Sequence, residues 1–210
     1  MKISKLRYLF AVAFFGISGF YASNLISDES NKIDVHASWS YITDTAEGLI
    51  EESQLVAVAS VDKIEKKSYF PYPDEPTIVF TDATLNINEI LYSDENLKVG
   101  DKITLSQYGG ELTSGELLTY DDVPLLEKKE QVLVFLEKVE DDTVRSGKYQ
   151  YVGGNIGLYL LGDVINSAST NQKVNIQSVN SSKVAEEVKK IGFENIKEKA
   201  KGKQKNKSKE

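Results

Sequence analysis

The sequence predicts a mainly β protein, a small five-stranded barrel with a short helix in front of it and another helix behind it. Three observations carry this prediction. Alternating or continuous apolar runs fill the middle of the chain, glycines mark the corners between them, and helical spacing is confined to the two flanks. With 210 residues there is room for one such domain plus tails, and 40% hydrophobic against 27% charged residues suits a chain that folds around a core.

The elements follow in order. Asp44 and Thr45 precede "AEGLIEES" and predict a helix over 44–53, with Glu47 toward the N-terminal end, where the helix dipole favours a negative charge. In "QLVAVASVDKIEKK" the residues Leu55, Ala57, Ala59 and Val61 share one face of a first strand. Pro71, Pro73 and Pro76 then punctuate a loop, because proline cannot donate to a ladder. A long second strand follows in "TIVFTDATLNINEIL", which sets Val79, Thr81, Ala83, Leu85 and Ile87 against Asp82, Thr84, Asn86 and Asn88.

The segment "VGD" turns the chain into a third strand, "KITLSQ", and Gly109 with Gly110 forms a joint where the backbone must bend. "VLVFL", Val132–Leu136, is apolar at every position and reads as a strand buried on both faces. "YQYVGGNIGLYLL" supplies the last β segments, predicted to fold back on themselves as a hairpin through "GGNIG". Finally Val184, Val188 and Ile191 form one stripe of a C-terminal helix capped by Ser182.

Taken together, "EESQLVAVASVDKI", "FTDATLNINEILYSDENLKVGDKITLSQYGGEL", "PLLEKKEQVLVFLEKV" and "YVGGNIGLYLL" resemble exported bacterial domains of unknown function with an oligonucleotide/oligosaccharide-binding (OB) type barrel. The shape is similar also to the netrin-like domain of metalloproteinase inhibitors. The resemblance covers Thr45 to Leu161 and implies an OB-like barrel outside the membrane. Netrin-like inhibitors act through an N-terminal cysteine and disulfides; this chain has no cysteine, so their mechanism does not transfer.

The flanks set the expected location. Lys2, Lys5 and Arg7 precede the uncharged run Tyr8–Ile26, so residues 1–27 are expected to be a signal peptide or an N-terminal membrane anchor. The positive flank leaves the rest of the chain outside in either case. Cleavage after Ala22 would put Phe20 at the third position before the cut, whereas Gly16 and Ser18 offer a small pair; retention as an anchor is favoured and release by cleavage stays open. The expected order is then a linker over 28–42, the barrel domain over 43–166, a polar segment and helix over 167–196, and a disordered lysine-rich tail over 197–210. Lysine stands at every odd position from Lys197 to Lys209, and this tail is expected to meet an anionic wall polymer or lipid. The net charge of −7 includes both basic ends, so the body between them is more acidic still and does not suit nucleic acid.

Candidate chemistry is sparse. His36 is the one histidine and lies in the linker, so neither a zinc site of the usual ligands nor a histidine-dependent triad is expected, and no cofactor, metal or catalytic residue is assigned. The pairs Glu51/Glu52, Asp121/Asp122 and Asp141/Asp142 read as solvated turns, since neighbours on a strand point to opposite faces. "GGNIG" lacks the following helix that a phosphate loop needs. The ligand-binding candidates are aromatic: Tyr69, Phe70 and Tyr72 crowd the proline loop, and Tyr108 and Tyr120 flank the glycine joint. They point to a non-enzymatic envelope module that binds a protein, peptide or carbohydrate; the alternative is a secreted enzyme inhibitor or an extracytoplasmic hydrolase.

Overall fold

A computed structural model describes residues 32–35, 43, 45–65, 68–70, 78–120, 124–140, 144–154, 156–162, 176–178 and 183–207. The chain divides into two compact units, Met1–Lys32 and Ile33–Glu210, and the described residues belong to the second apart from Lys32. Among them no helix is long and apolar enough to cross a membrane; the run Tyr8–Ile26 and His36 lie outside the described residues. In chain order the elements are β1 (Lys32–Val35), α1 (Ala46–Glu52), β2 (Leu55–Ile64), β3 (Phe80–Ser93), β4 (Lys102–Tyr108), β5 (Gly110–Glu111) and β6 (Leu117–Tyr120). They continue with β7 (Gln131–Lys138), β8 (Tyr149–Tyr151), β9 (Leu158–Leu161), β10 (Ile176–Ser178), α2 (Lys183–Ile191) and α3 (Phe193–Lys207).

Five strands close into the OB-like barrel that the sequence predicts. β2 pairs antiparallel with β3 and β7, β3 with β4, and β8 lies antiparallel to β7 and parallel to β4, so the ring runs β2-β3-β4-β8-β7 and back to β2. Register shifts in the β2–β3 ladder, at Val56/Ala57, Val58/Ala59 and Val61/Lys63, supply the coiling that closure needs. Leu55, Ala57, Ala59 and Val61 share the interior with Ala83, Leu85 and Ile87 of β3, as their alternation requires, and meet Ile103, Leu105, Val132, Val134 and Leu136 there. Each fully buried Leu or Ile contributes roughly 2 kcal/mol through its removal from water.

A second core explains why β7 is apolar at every position from Val132 to Leu136. Leu133 and Phe135 point away from the barrel interior and join Val56, Val58 and Tyr159 beneath the helices, against Leu49 and Ile50 of α1, Val184 and Val188 of α2, and Phe193 and Ile196 of α3. Helix α1 begins where Thr45, in extended conformation, accepts the Gly48 N–H on its hydroxyl at 3.1 Å.

Four expectations need correction. "YQYVGGNIGLYLL" is not a hairpin: β8 and β9 both pair antiparallel with β7, Tyr151 facing Leu136 and Leu158 facing Val134, as two pieces of one interrupted strand, and the described residues 152–154, 156 and 157 belong to the excursion between them. The excursion is held where Phe135 donates to the Gly157 carbonyl and accepts from the Val152 N–H, so β7 outcompetes β8 as the partner of β9. The 28–42 linker contains β1, which lies beside β6 in a three-stranded sheet and accepts the Thr119 hydroxyl on Asp34 at 2.9 Å. The barrel sheet continues past residue 166 through β10, beside β9. Lastly, the tail from Lys197 is helical to Lys207, since Lys, Glu, Gln and Ala are strong helix formers and Phe193, Ile196 and Ala200 anchor the helix in the second core.

Candidate functional site

The outward face of the β3–β4 ladder carries the polar and aromatic side chains that the barrel interior excludes. Phe80 lies opposite Tyr108 and Asp82 opposite Ser106. The end of the β2–β3 connection returns along this face, where Tyr69 and Phe80 exchange both backbone hydrogen bonds at 2.9 Å. The joint at Gly109–Gly110 makes room for that return: a Cβ on Gly110 would stand 1.9 Å from Ser68 Oγ and 2.4 Å from Thr81 Oγ1. Thr81 in turn donates its hydroxyl to the Gly109 carbonyl at 2.9 Å.

Three of the tyrosines that the sequence nominates meet here through a fourth ring. Tyr69 stacks on Phe80 with centroids 6.0 Å apart, Phe80 lies 4.5 Å from Tyr108, and Tyr108 meets Tyr120 edge-on at 5.9 Å. Phe80 and Tyr120 are buried and Tyr69 and Tyr108 half-buried; Phe70, 38% exposed, stands outside the ladder, and Tyr72 lies outside the described residues.

Two cations from the β7–β8 connection cover this ladder. The Arg145 guanidinium sits 4.0 Å over Phe80 and 5.5 Å from Tyr108, donates to Ser106 Oγ at 3.3 Å, and reaches Gln150 Oε1. Lys148 lies 4.4 Å over the Tyr69 ring and pairs with Asp82 at 2.6 Å. A carboxylate only accepts, so the Tyr69 hydroxyl donates to Asp82 at 2.8 Å and the Ser106 hydroxyl donates to Tyr69 at 2.6 Å. Burial, reinforced by Asp82, holds the Tyr69 phenol well above its ordinary pKa, so it stays a neutral donor. Burial likewise raises that of Tyr120.

Arg145 also joins the ladder to an open cleft of 480 Å³, lined in addition by Glu52, Gln54, Glu137, Lys138, Glu140 and Gln150. Gln150 donates to Glu137 at 2.8 Å, and a continuous polar chain therefore runs from Phe80 and Arg145 along one wall of the cleft. Ser106, Tyr69 and Lys148 would resemble a serine-activating relay were Ser106 accessible; it has no exposed surface at which a substrate could be attacked. Among the described residues no group of His, Cys, Asp or Glu is placed to hold a metal ion.

Sequence reasoning missed Phe80, Asp82, Ser106, Arg145 and Lys148. Phe80 and Asp82 were hidden inside an alternating strand. A signal for Arg145 did exist: in a lysine-rich chain the only arginines are Arg7 and Arg145, and a planar guanidinium stacks on rings as an ammonium cannot. The chain matches no protein-family model and no curated protein.

Proposed function

We propose that the chain is an exported, membrane-tethered, non-enzymatic binding module of a bacterial envelope, which engages an envelope protein, peptide or carbohydrate at the aromatic ladder and its cleft. The observation that carries the reading is the convergence of Tyr69, Tyr108 and Tyr120, distant in sequence, on one run of rings that shares Arg145 with an open cleft. The exposed ring of Phe70, next to Tyr69 in the chain, offers a face to sugars and peptide groups, while the amides of Gln54 and Gln150 and the carboxylates of Glu52, Glu137 and Glu140 offer donors and acceptors to a polar ligand. The basic flank and uncharged run up to Ile26 support export and tethering.

The test is a titration of the isotope-labelled full chain, in neutral detergent, with soluble glycan and peptide fragments of a bacterial wall. Amide shifts should change at Tyr69, Phe70, Tyr108, Gln54 and Gln150, and Phe70→Ala, which removes an exposed ring, should weaken the binding. Shifts confined to α2 and α3, or none at all, would overturn the reading.

A further inference from the structure

Helix α3 has two unlike halves. Phe193, Ile196 and Ala200 bury its first half, whereas residues 201–207, "KGKQKNK", bury no apolar side chain and are exposed except for the half-buried Lys203. Polar contacts hold this second half. The Lys203 ammonium donates to the carbonyls of Ile50, Glu51 and Ser53 at 3.0, 2.7 and 3.0 Å and sits 3.9 Å over the Tyr92 ring. Lys207 pairs with Asp94, Lys201 with Glu89 at 3.6 Å, and Gln204 accepts the Ser93 N–H at 2.9 Å.

The alternation of lysines is foreign to this helical state. Successive odd positions are about 200° apart around a helix, which scatters the lysines to all sides, but they share one side of an extended chain at intervals of roughly 7 Å. Gly202, in the middle of the segment, weakens the helix further.

We propose that residues 201–207 are an electrostatic latch, which a linear phosphodiester polyanion opens by drawing the segment out as an extended ladder of lysines, and that opening loosens the wall of the cleft. The polymer is favoured over a membrane because the segment has no apolar residue to insert among lipids. Coupling runs through contacts already described and two more. Lys203 and Lys207 fix the corner at Ile50–Ser53 and Asp94; the Asp94 N–H donates to the Gln54 carbonyl at 2.8 Å, and Gln54 Oε1 accepts the Lys138 N–H at 2.6 Å. Gln54 and Lys138 both line the cleft. The latch stands on residues 201–207 and their contacts alone, and only its consequence for ligand binding rests on the function proposed above.

The test is hydrogen exchange, read by mass spectrometry on the full chain in neutral detergent, with poly(glycerol phosphate) added or with phosphatidylglycerol vesicles at the same phosphate concentration. Polymer should bind and raise exchange over 201–207 and at Lys138. Gly202→Ala adds a methyl group where nothing lies within 4 Å, tightens the helix, and should weaken polymer binding about fivefold. Lys203→Met should raise exchange over 204–207 without polymer. Binding that leaves 201–207 protected, equal binding by the Gly202→Ala variant, or opening by vesicles and not by polymer overturns the latch. Opening without a rise at Lys138 overturns the coupling. No wall-fragment ligand enters either readout, so failure of the proposed function would show separately in the titration.

Discussion

Two corners of the molecule use the same three chemical groups and differ in how they are assembled. At one, Tyr69 donates to Asp82, Asp82 pairs with Lys148, and Lys148 covers the Tyr69 ring. At the other, Tyr92 donates to Asp94, Asp94 pairs with Lys207, and Lys203 covers the Tyr92 ring. The ion pair of the first leaves 21% and 16% of its side chains exposed, that of the second 44% and 36%, so solvent screens the second far more. The first is also built from a loop that the barrel strands hold at both ends, the second from the last turns of a helix. Identical groups thus make a fixed joint in one place and a releasable one in the other.

The comparison can be broken most forcefully at Asp82. Asp82→Ala removes the carboxylate that pairs with Lys148 and accepts the Tyr69 hydroxyl, and should cost about 3 kcal/mol in denaturant unfolding. Gly110→Ala attacks the same corner through its backbone; the clash with Ser68 and Thr81 should cost about 2 kcal/mol, with the largest amide shifts at Tyr69 and Phe80. Asp94→Ala should cost less than about 1 kcal/mol, and the difference should fade in molar salt, whereas the Asp82→Ala cost should persist.

Acid sharpens the contrast. Burial alone would raise the pKa of Asp94, but Lys207, Tyr92 and Lys203 together hold it below its ordinary value; the hydrogen bond from Lys138 does the same for Glu95. Their stabilisation is therefore complete above the ordinary carboxylate range near pH 4 and is lost as pH falls through the lowered values. Exchange over 201–207 should rise in that acid window before the barrel strands lose protection, a sequence of events that a pH series of exchange measurements would show.

Much of the barrel was legible because its rules are local. The face of Leu55, Ala57, Ala59 and Val61 follows from a period of two, and "VLVFL" announces a strand with two buried faces. The tyrosines were legible as candidates, since Tyr69 and Tyr108 flank breaks in the pattern. What escaped depends on partners remote in sequence. "GGNIG" carries good hairpin residues, but β7 offers a better edge; the lysine tail looks unfoldable until the acids of β3 and the carbonyls of α1 are brought beside it. Phe80 stands unmarked inside an alternating strand, and nothing local reveals that Tyr69 and Arg145 return to it.

The seam between β4 and β8 has a consequence in time. The ring is completed by a single parallel pairing, Leu105 with Tyr149, and the whole of β5, β6 and β7 lies between those residues in the chain. This contact and the β2–β7 ladder, which joins Leu55 to Leu136, both close long loops, so the ring cannot be finished until β7 and β8 are in place. A chain interrupted before Tyr149 would hold β4 and the second half of β7 as bare, apolar-backed edges. It would pair with its neighbours before it could finish itself.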